Sequence, residues 1–600
     1  MSLNHRKREK MKILSLRAIV NALSNVRYPA LYVALAGLVV SAAFSFVAYP
    51  YLANPYHLVL DPDHHGNLGY GLWKYHTFSY FPEHEPTVER GPLYPLFIAL
   101  LLIVTRDWWP YCVQLGQCIL FSLICLMVFW TSKTLWDKRI AFLTAALCVV
   151  HPLMLWYTSR IWIETMATFL FTALVASILY FSLRPTLLRG VLVGCVLGLS
   201  ALCKSTFLAY VFVVPVVLLC LPPRKMRLRS ALTVSIVALI LVLPWSVRNW
   251  RLTGKFIPVH GRLGFNLQVG DGLIENISKS PFSLVGLYAI SMEKMAAVES
   301  RIPADLSKHE REILLDSILL RDSMTRYREH PGFLLKKMLL NSWLFWTLGE
   351  MPRKTLVLSL LLVPLAGLFA VSAIVTGRRG QLRTIRGVHI SLVVVYYLMH
   401  LPVEAIARYS VVLVPTMLIY AVGTTLESVF KAEKHSSRGN TEAILPPGAR
   451  TKALLAPTES GFAQMVRFGV AGAVATVGDY AVLLGLYTLA HVSRPLAVAA
   501  GYGVGLIICY VLSIVWIFPH RTIQDRRIEF TIFMVIGVVG LVLTEVVVHV
   551  SMMIISQPAA AAHLSDTMQL SVAKFVSVVL VFFFNFGVRK AILFMPPKAS

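Results

Sequence analysis

Acidic residues are scarce in this chain: 30 Asp and Glu in 600 residues, against 56 Lys and Arg. Charged residues of both signs together make up 14%, where a soluble domain carries about 25%. That shortage excludes an ordinary enzyme wrapped in a solvated shell. Cysteine is sparse as well, with eight residues, no CxxC pair and most positions inside apolar runs. This excludes a disulfide framework and a thiolate metal site, and the thiols read as small core residues. Period-two alternation, the mark of a membrane barrel, is missing too.

What the chain has in abundance is apolar surface, 57% of its residues being hydrophobic. Apolar runs of about 17 to 25 residues recur, each long enough to cross roughly 30 Å of hydrocarbon. Helices span lipid in this pattern because every backbone polar group is bonded within its own segment. The expected fold is therefore an all-α polytopic membrane protein, surrounded by lipid bilayer, with roughly a dozen or more spanning helices. The net charge of +26 would point to nucleic acid in a soluble protein. In a membrane protein it reads as Lys and Arg gathered in cytoplasmic loops, and no nucleic-acid partner is expected. Nothing in the sequence sets an oligomeric state.

The basic stretch from Arg6 to Lys12 precedes an apolar run that starts near Tyr28. No small-residue cleavage site follows, so a retained first helix is expected, with its N-terminus inside. Helix one then covers about 29–50, and the polar, aromatic and acidic stretch 51–91 lies outside. The run 92–105 is too short to span comfortably and reads as a half-helix or interfacial piece. Further helices are expected at about 111–135, 140–157, 163–183, 188–203, 205–221 and 230–247. The long polar stretch 248–340 falls outside by parity, helical from Ser307 to His330, with an interfacial apolar piece at 333–348. Helices at 355–376, 388–402 and 409–430 return the chain inside. Residues 431–462, with their charge, Ser, Gly and Pro446-Pro447-Gly448, form a cytoplasmic linker. Four more helices follow near 465–489, 496–518, 529–556 and 571–594. Two modules emerge, 1–430 and 463–600, and every strongly basic loop falls on one side.

The first outside loop concentrates Asp61, Asp63, His64, His65, Glu83, Glu85, Glu89 and Arg90. Charged groups against a membrane interface are costly unless solvated or paired, which makes them functional candidates. The two His beside the two Asp have the donor types of a metal site. No second ligand cluster appears, so no metal and no other cofactor is expected.

The order of short motifs in 1–430 resembles the C-type family of membrane glycosyltransferases (GT-C), in its protein O-mannosyltransferase and lipid A aminoarabinose transferase branch. The residues that carry the likeness are Asp61 ahead of Leu68-Gly69-Tyr70-Gly71-Leu72, then Glu89-Arg90-Gly91-Pro92-Leu93-Tyr94-Pro95. Ser159-Arg160-Ile161-Trp162-Ile163-Glu164, Gly198 to Lys204, Leu243-Pro244-Trp245-Ser246-Val247-Arg248-Asn249, and Arg408-Tyr409 with Pro415 follow in the family's order. The resemblance implies sugar transfer from a polyprenyl-phosphate donor to a glycan, lipid or protein acceptor at the outer face of the cytoplasmic membrane. By that resemblance Asp61 aligns with the catalytic acid, with Asp63 as the alternative and Glu164 as a further acid. Arg90, Lys204, Arg248 and Arg408 would bind the donor phosphate, and His64, His65, Glu89 and Tyr94 the substrates. The chemistry is coherent: a hydroxyl acceptor needs a base, and a lipid-phosphate leaving group needs cationic donors.

Residues 463–600 resemble the GtrA family of four-helix membrane proteins, through Arg467-Phe468-Gly469, Gly478-Asp479, Trp516-Ile517-Phe518 and Asn585-Phe586 with Arg589-Lys590. The resemblance implies a role in handling the lipid carrier. Asp479 and Glu545 sit within apolar runs and are candidates by position. Cys509 and Ile514 depart from the family pattern. The rival reading is a polyprenyl-linked sugar flippase or transporter, which would show two comparable halves and a midplane site. Here the modules are unequal and the polar candidates gather at one face.

Overall fold

The structure is a computed structural model. It describes residues 28–52 and 61–436, apart from short gaps at 62, 82–84, 106–108, 220–226, 278–283, 304, 351 and 377–380. Beyond these it describes 464, 467–472, 474–475, 494–518, 525, 528–537, 539, 581–582, 584–590 and 593–594. Among the described residues every regular element is helical, and the protein is an all-α polytopic membrane protein. Five described helices are long and apolar enough to cross a bilayer, or six if one bent pair counts as a single span. Several further apolar helices among the described residues are shorter, at 10–17 residues, and much of the four helices expected after 463 lies outside the described residues.

The chain divides into two compact units. Ala18–Leu426 forms one; Met1–Arg17 and Glu427–Ser600 form the other.

In the larger unit, α1 (Pro29–Ala43) runs on through a π turn at Phe44–Ala48. Then come α2 (His65–Tyr75), α3 (Leu93–Thr105) and α4 (Trp109–Leu135). The stretch 140–157, expected as one helix, is instead α5 (Lys138–Val149) and α6 (Pro152–Thr158), bent by 53°. Pro152 lacks an N–H and holds His151 in extended backbone, so the helical ladder cannot pass through. α7 (Glu164–Leu183), α8 (Leu187–Cys203), α9 (Tyr210–Leu219) and α10 (Arg227–Thr253) complete the first set.

The polar stretch 248–340 folds as α11 (Leu263–Asn276), α12 (Leu284–Glu299) and α13 (Lys308–Glu329), running into α14 (Pro331–Thr347). α13 starts where its sequence says it should: Ser307 and Glu310 make a reciprocal capping box. α15 (Pro352–Thr376), α16 (Gln381–His400) and α17 (Val414–Ser436) follow. The last continues past 430, so the first residues of the expected linker are helical, and 437–463 lie outside the described residues. Asp479 and Glu545 also lie outside them.

With no water to drive helices together in lipid, close packing and interhelical bonds must hold them. α8 and α10 approach through glycine: a Cβ at Gly194 would sit 2.8 Å from Val237, and one at Gly198 would sit 2.9 Å from Leu241. Buried hydroxyls bond across helices, as Ser122 Oγ does to Ala34 O at 2.6 Å. The α11–α14 layer closes on an ion pair with no exposure on either side: Lys337 Nζ lies 2.7 Å from Asp271 Oδ1. The same ammonium donates to Leu267 O and Tyr327 Oη at 3.0 and 2.9 Å.

In the smaller unit, α18 (Arg494–Leu512) ends in a π turn at Ser513–Ile517. Phe518 stacks on Phe594 at 4.3 Å, and Arg589 lies 3.8 Å over Phe533.

Candidate functional site

A cavity of about 830 Å³ opens in the larger unit. Its lining includes the polar residues Asp63, Arg90, Arg262, Glu404 and Arg408, the apolar residues Leu284, Val285, Met292, Val357, Leu358 and Leu361, the aromatic residues Trp156, Tyr157, Trp162 and Tyr288, and the pair Glu350 and Lys354.

The polar part of the lining is built by helix ends. Asp61 accepts from the His65 and Gly66 backbone N–H groups at 2.9 and 2.6 Å, so each of its oxygens caps the start of α2. Between them His64 takes left-handed backbone at φ 54°. That kink turns Asp63 the other way, into the cavity. Glycine at 91 lets the loop press on the end of α8, since a Cβ there would meet Leu202 O at 2.5 Å; this seats Arg90. Arg408 stands one residue inside the helical segment Ala407–Ser410, which leads into α17.

The charges form a chain. Arg90 Nη2 lies 3.2 Å from Asp63 Oδ1, and Arg408 Nη1 lies 3.3 Å from Asp63 Oδ2. Arg408 Nε lies 3.0 Å from Glu164 Oε1, whose side chain is fully buried at the start of α7. Arg408 also packs over the Trp162 ring at 4.9 Å. Arg90 Nε is buried without a hydrogen-bond partner, a donor that a bound anion could satisfy.

Burial opposes ionisation of Asp63, but the guanidiniums of Arg408 and Arg90 outweigh it and hold the carboxyl well below its usual range. Asp61 has no such cation, and burial pushes it up to about 6. His65 and His260 are driven down to about 3, first by burial and then by the charge of Arg90. Both are neutral imidazoles at neutral pH.

The expected residues therefore separate. Asp63, Arg90 and Arg408 line the cavity, with Glu164 behind Arg408. Lys204 reaches it indirectly, its Nζ 4.0 Å over the ring of Tyr409. Glu89 stands behind Arg262 at 3.6 Å and accepts from Tyr80 at 3.1 Å. The others are placed elsewhere. Tyr94 donates to buried Gln117, which in turn holds the Thr158 and Arg160 carbonyls. His65 packs edge-on against Tyr94, and His64 against Tyr80. Arg248 donates to Thr87 O at 2.8 Å and rests on Trp245.

Sequence reasoning missed Arg262, Tyr288, Glu350, Lys354 and Glu404, all on the cavity wall. Glu350 holds Lys354 and, at 3.0 Å, Arg160, whose guanidinium lies between the rings of Trp156 and Trp162. Arg160 and Trp162 stood in a quoted motif but carried no assigned role. Among the described residues no group of three or more His, Cys, Asp or Glu is arranged to hold a metal ion.

The arrangement offers two guanidiniums around one carboxylate on a cavity with a largely apolar lining. It fits an amphiphile whose anionic head replaces the carboxylate between the two forks.

Comparison with known proteins adds the following. Residues 467–594 match the GtrA/DPMS transmembrane domain family. No curated protein matches the chain. Among solved structures, the chain is similar to the apo oligosaccharyltransferase of Archaeoglobus fulgidus, at 14% identity and a TM-score of 0.44, over 72% of this chain and 54% of that one. It is also similar to the same organism's AglB in complex with an inhibitory peptide and a dolichol-phosphate, at 14% identity and a TM-score of 0.43, over 82% and 56%. ArnT from Cupriavidus metallidurans bound to undecaprenyl phosphate is similar at 15% identity and a TM-score of 0.31, over 70% and 80%. The chain spans about half the length of the archaeal enzyme.

Proposed function

We propose that residues 1–430 transfer a sugar from a polyprenyl-phosphate donor to an envelope glycan, lipid or protein acceptor at the outer face of the cytoplasmic membrane. In this reading 463–600 assist by handling the lipid carrier. The observation that supports it most is Asp63 held between Arg90 and Arg408 on a cavity that is also lined by many apolar side chains.

The chemistry runs through these groups. The polyprenyl chain lies along the apolar side chains and brings the phosphate to the two guanidiniums. Arg forks bind phosphate oxygens bidentately, and the orphaned Arg90 Nε gains a partner. Phosphate displaces Asp63 from both cations, which frees its carboxylate and raises its basicity. Asp63 then takes the acceptor hydroxyl proton as the acceptor oxygen attacks the anomeric carbon from the face opposite the phosphate. The anomeric carbon–oxygen bond breaks, and polyprenyl phosphate leaves with its charge on Arg90 and Arg408. Glu164 positions Arg408 throughout. Geometry precedes pKa in choosing a base, and Asp63 lines the cavity whereas Asp61 does not and turns back to cap α2.

The test is the full-length protein in lipid nanodiscs, given a panel of polyprenyl-phosphate sugars and an envelope acceptor extract. Release of polyprenyl phosphate, followed by mass spectrometry, should require both donor and acceptor and should vanish in Asp63→Asn. Movement of intact lipid-linked sugar across sealed vesicles without cleavage would refute the transferase and favour a flippase.

A further inference from the structure

Three carboxylates line the cavity, and they differ in what neutralises them. Asp63 lies between Arg90 and Arg408. Glu350 holds Arg160 and Lys354. Glu404 makes no ion pair among the described residues. Its oxygens accept from two phenols instead: Oε1 from Tyr288, and Oε2 from Tyr409 at 2.9 Å. Glu404 is only 3% exposed, and Lys204 and Lys337 act on it only from beyond ion-pair distance, so a carboxyl sits in a desolvated place, which is costly unless further donors reach it.

Each carboxylate oxygen has two acceptor positions. The phenols take one on each oxygen, and one on each remains. The phenols themselves are fixed. Lys204 Nζ lies 4.0 Å over the Tyr409 ring, and Tyr288 is carried on α12. Glu404 stands four positions before Arg408, and both line the same cavity. A sugar is joined directly to the phosphate that Arg408 would hold, and Glu404 faces the same cavity through Tyr409, the neighbour of Arg408.

We propose that Glu404, carried by Tyr288 and Tyr409, is the subsite for the transferred sugar. It accepts hydrogen bonds from hydroxyl or amino groups of a neutral or amino sugar and rejects a uronic acid by like charge. This rests on the reading of the chain as a polyprenyl-phosphate-dependent glycosyltransferase. It goes beyond that reading by naming the sugar class and the residue that selects it.

The experiment measures equilibrium binding to the full-length protein in nanodiscs of three short-chain ligands: polyprenyl phosphate, polyprenyl phosphoryl hexose and the matching phosphoryl hexuronate. The hexose should tighten binding over the bare carrier by about ten-fold or more, the worth of charge-assisted hydrogen bonds. The hexuronate should give no gain. In Glu404→Gln the gain from the hexose should fall away, and the hexuronate should bind as well as the hexose. Tyr288→Phe, which leaves the carboxylate in place, should still discriminate against the hexuronate, and it serves if Glu404→Gln fails to fold. Wild-type protein that binds hexose and hexuronate equally well overturns the proposal, as does a hexose gain that survives in Glu404→Gln. The arms separate the two readings. The expected binding pattern with no turnover on any donor would sink the transferase and leave the subsite standing. Turnover of a hexuronate donor at the hexose rate would sink the subsite and leave the transferase.

Discussion

Asp61→Asn and Asp63→Asn should behave as opposites, although the two residues are two positions apart. Asp63 makes charge-assisted contacts with Arg90 and Arg408 at 3.2 and 3.3 Å, and its side chain is 16% exposed. Removing the negative charge leaves two guanidiniums facing each other. Breaking a buried pair from one side costs about 3–5 kcal/mol, and the partial exposure of both Arg side chains puts this case near about 3 kcal/mol. If Asp63 is also the base, turnover should fall by about 10²- to 10⁴-fold. Asp61→Asn removes one of the two acceptors that cap α2, worth about 1 kcal/mol, and turnover should stay within about three-fold of wild type.

The assay is steady-state release of polyprenyl phosphate from protein shown to be monodisperse in detergent, with a thermal melt on each variant. The decisive outcome is the crossing: loss of activity with Asp63→Asn and loss of some stability alone with Asp61→Asn. If Asp61→Asn abolishes turnover while Asp63→Asn preserves it, a carboxylate tied to two backbone N–H groups is doing the chemistry, and the argument from cavity access is wrong. The acid side gives an independent check. Asp63 has its pKa depressed by folding, so its stabilisation is present above the ordinary carboxylate range and is lost as pH falls towards its folded value. Asp63→Asn should remove that part of the acid sensitivity.

Arg90→Ala should weaken dependence on donor concentration by about ten-fold or more while leaving acceptor dependence nearly unchanged, the loss expected of one charge-assisted phosphate contact; unchanged donor dependence would remove the phosphate role. Lys337→Met should lower stability by about 3 kcal/mol because it removes the fully buried cation on Asp271 and leaves Arg326, at 3.7 Å, as its ion-pair partner, and Asp271→Leu added to it should recover part of the loss in a detergent melt. Burial, then the charge of Glu89, raises Glu312 to about 7, so its protonated form favours the native state and that advantage is lost as pH rises through 7. The melting temperature should fall between pH 6 and 8, and Glu312→Gln should flatten the change. Cysteines placed near Pro303 should react with an impermeant thiol reagent in intact cells and those near Gly439 should not, the reverse pattern inverting the topology.

Part of this site was readable from the sequence for a physical reason. A charge on an apolar helix is costly at mid-membrane, so charges collect at helix ends, and Arg90, Glu164 and Arg408 each stand at such an end. Any reading that looks for charges at the borders of apolar runs finds them. Asp63 was readable as a residue type and not as the cavity-facing acid. Two-residue spacing in a loop cannot say which side chain points where; that is set by the left-handed His64 and by Asp61 turning back to cap α2. Tyr94 shows the converse error. It stands in a motif beside Arg90, yet its hydroxyl is spent on Gln117, a partner that only the packing of α3 on α4 reveals.

The residues that were not readable share a different property. Arg262, Tyr288, Glu350 and Glu404 lie in or near polar stretches, where a charge or a phenol is unremarkable and no helical period marks it. Each gains meaning from a partner far along the chain: Glu350 from Arg160, and Tyr288 from Glu404. The segment 404–409 joins the two kinds of information. Arg408 sits where a span begins and is legible as a border charge. Glu404, four residues earlier, becomes informative only when its lack of a direct ion pair among the described residues is set beside the pairs made by Asp63 and Glu350. A border charge can be located by hydropathy alone, whereas the absence of a counter-charge is a property of three-dimensional neighbourhood. For that reason the residues proposed to hold the donor phosphate could be expected from sequence, and the residue proposed to select the sugar could not.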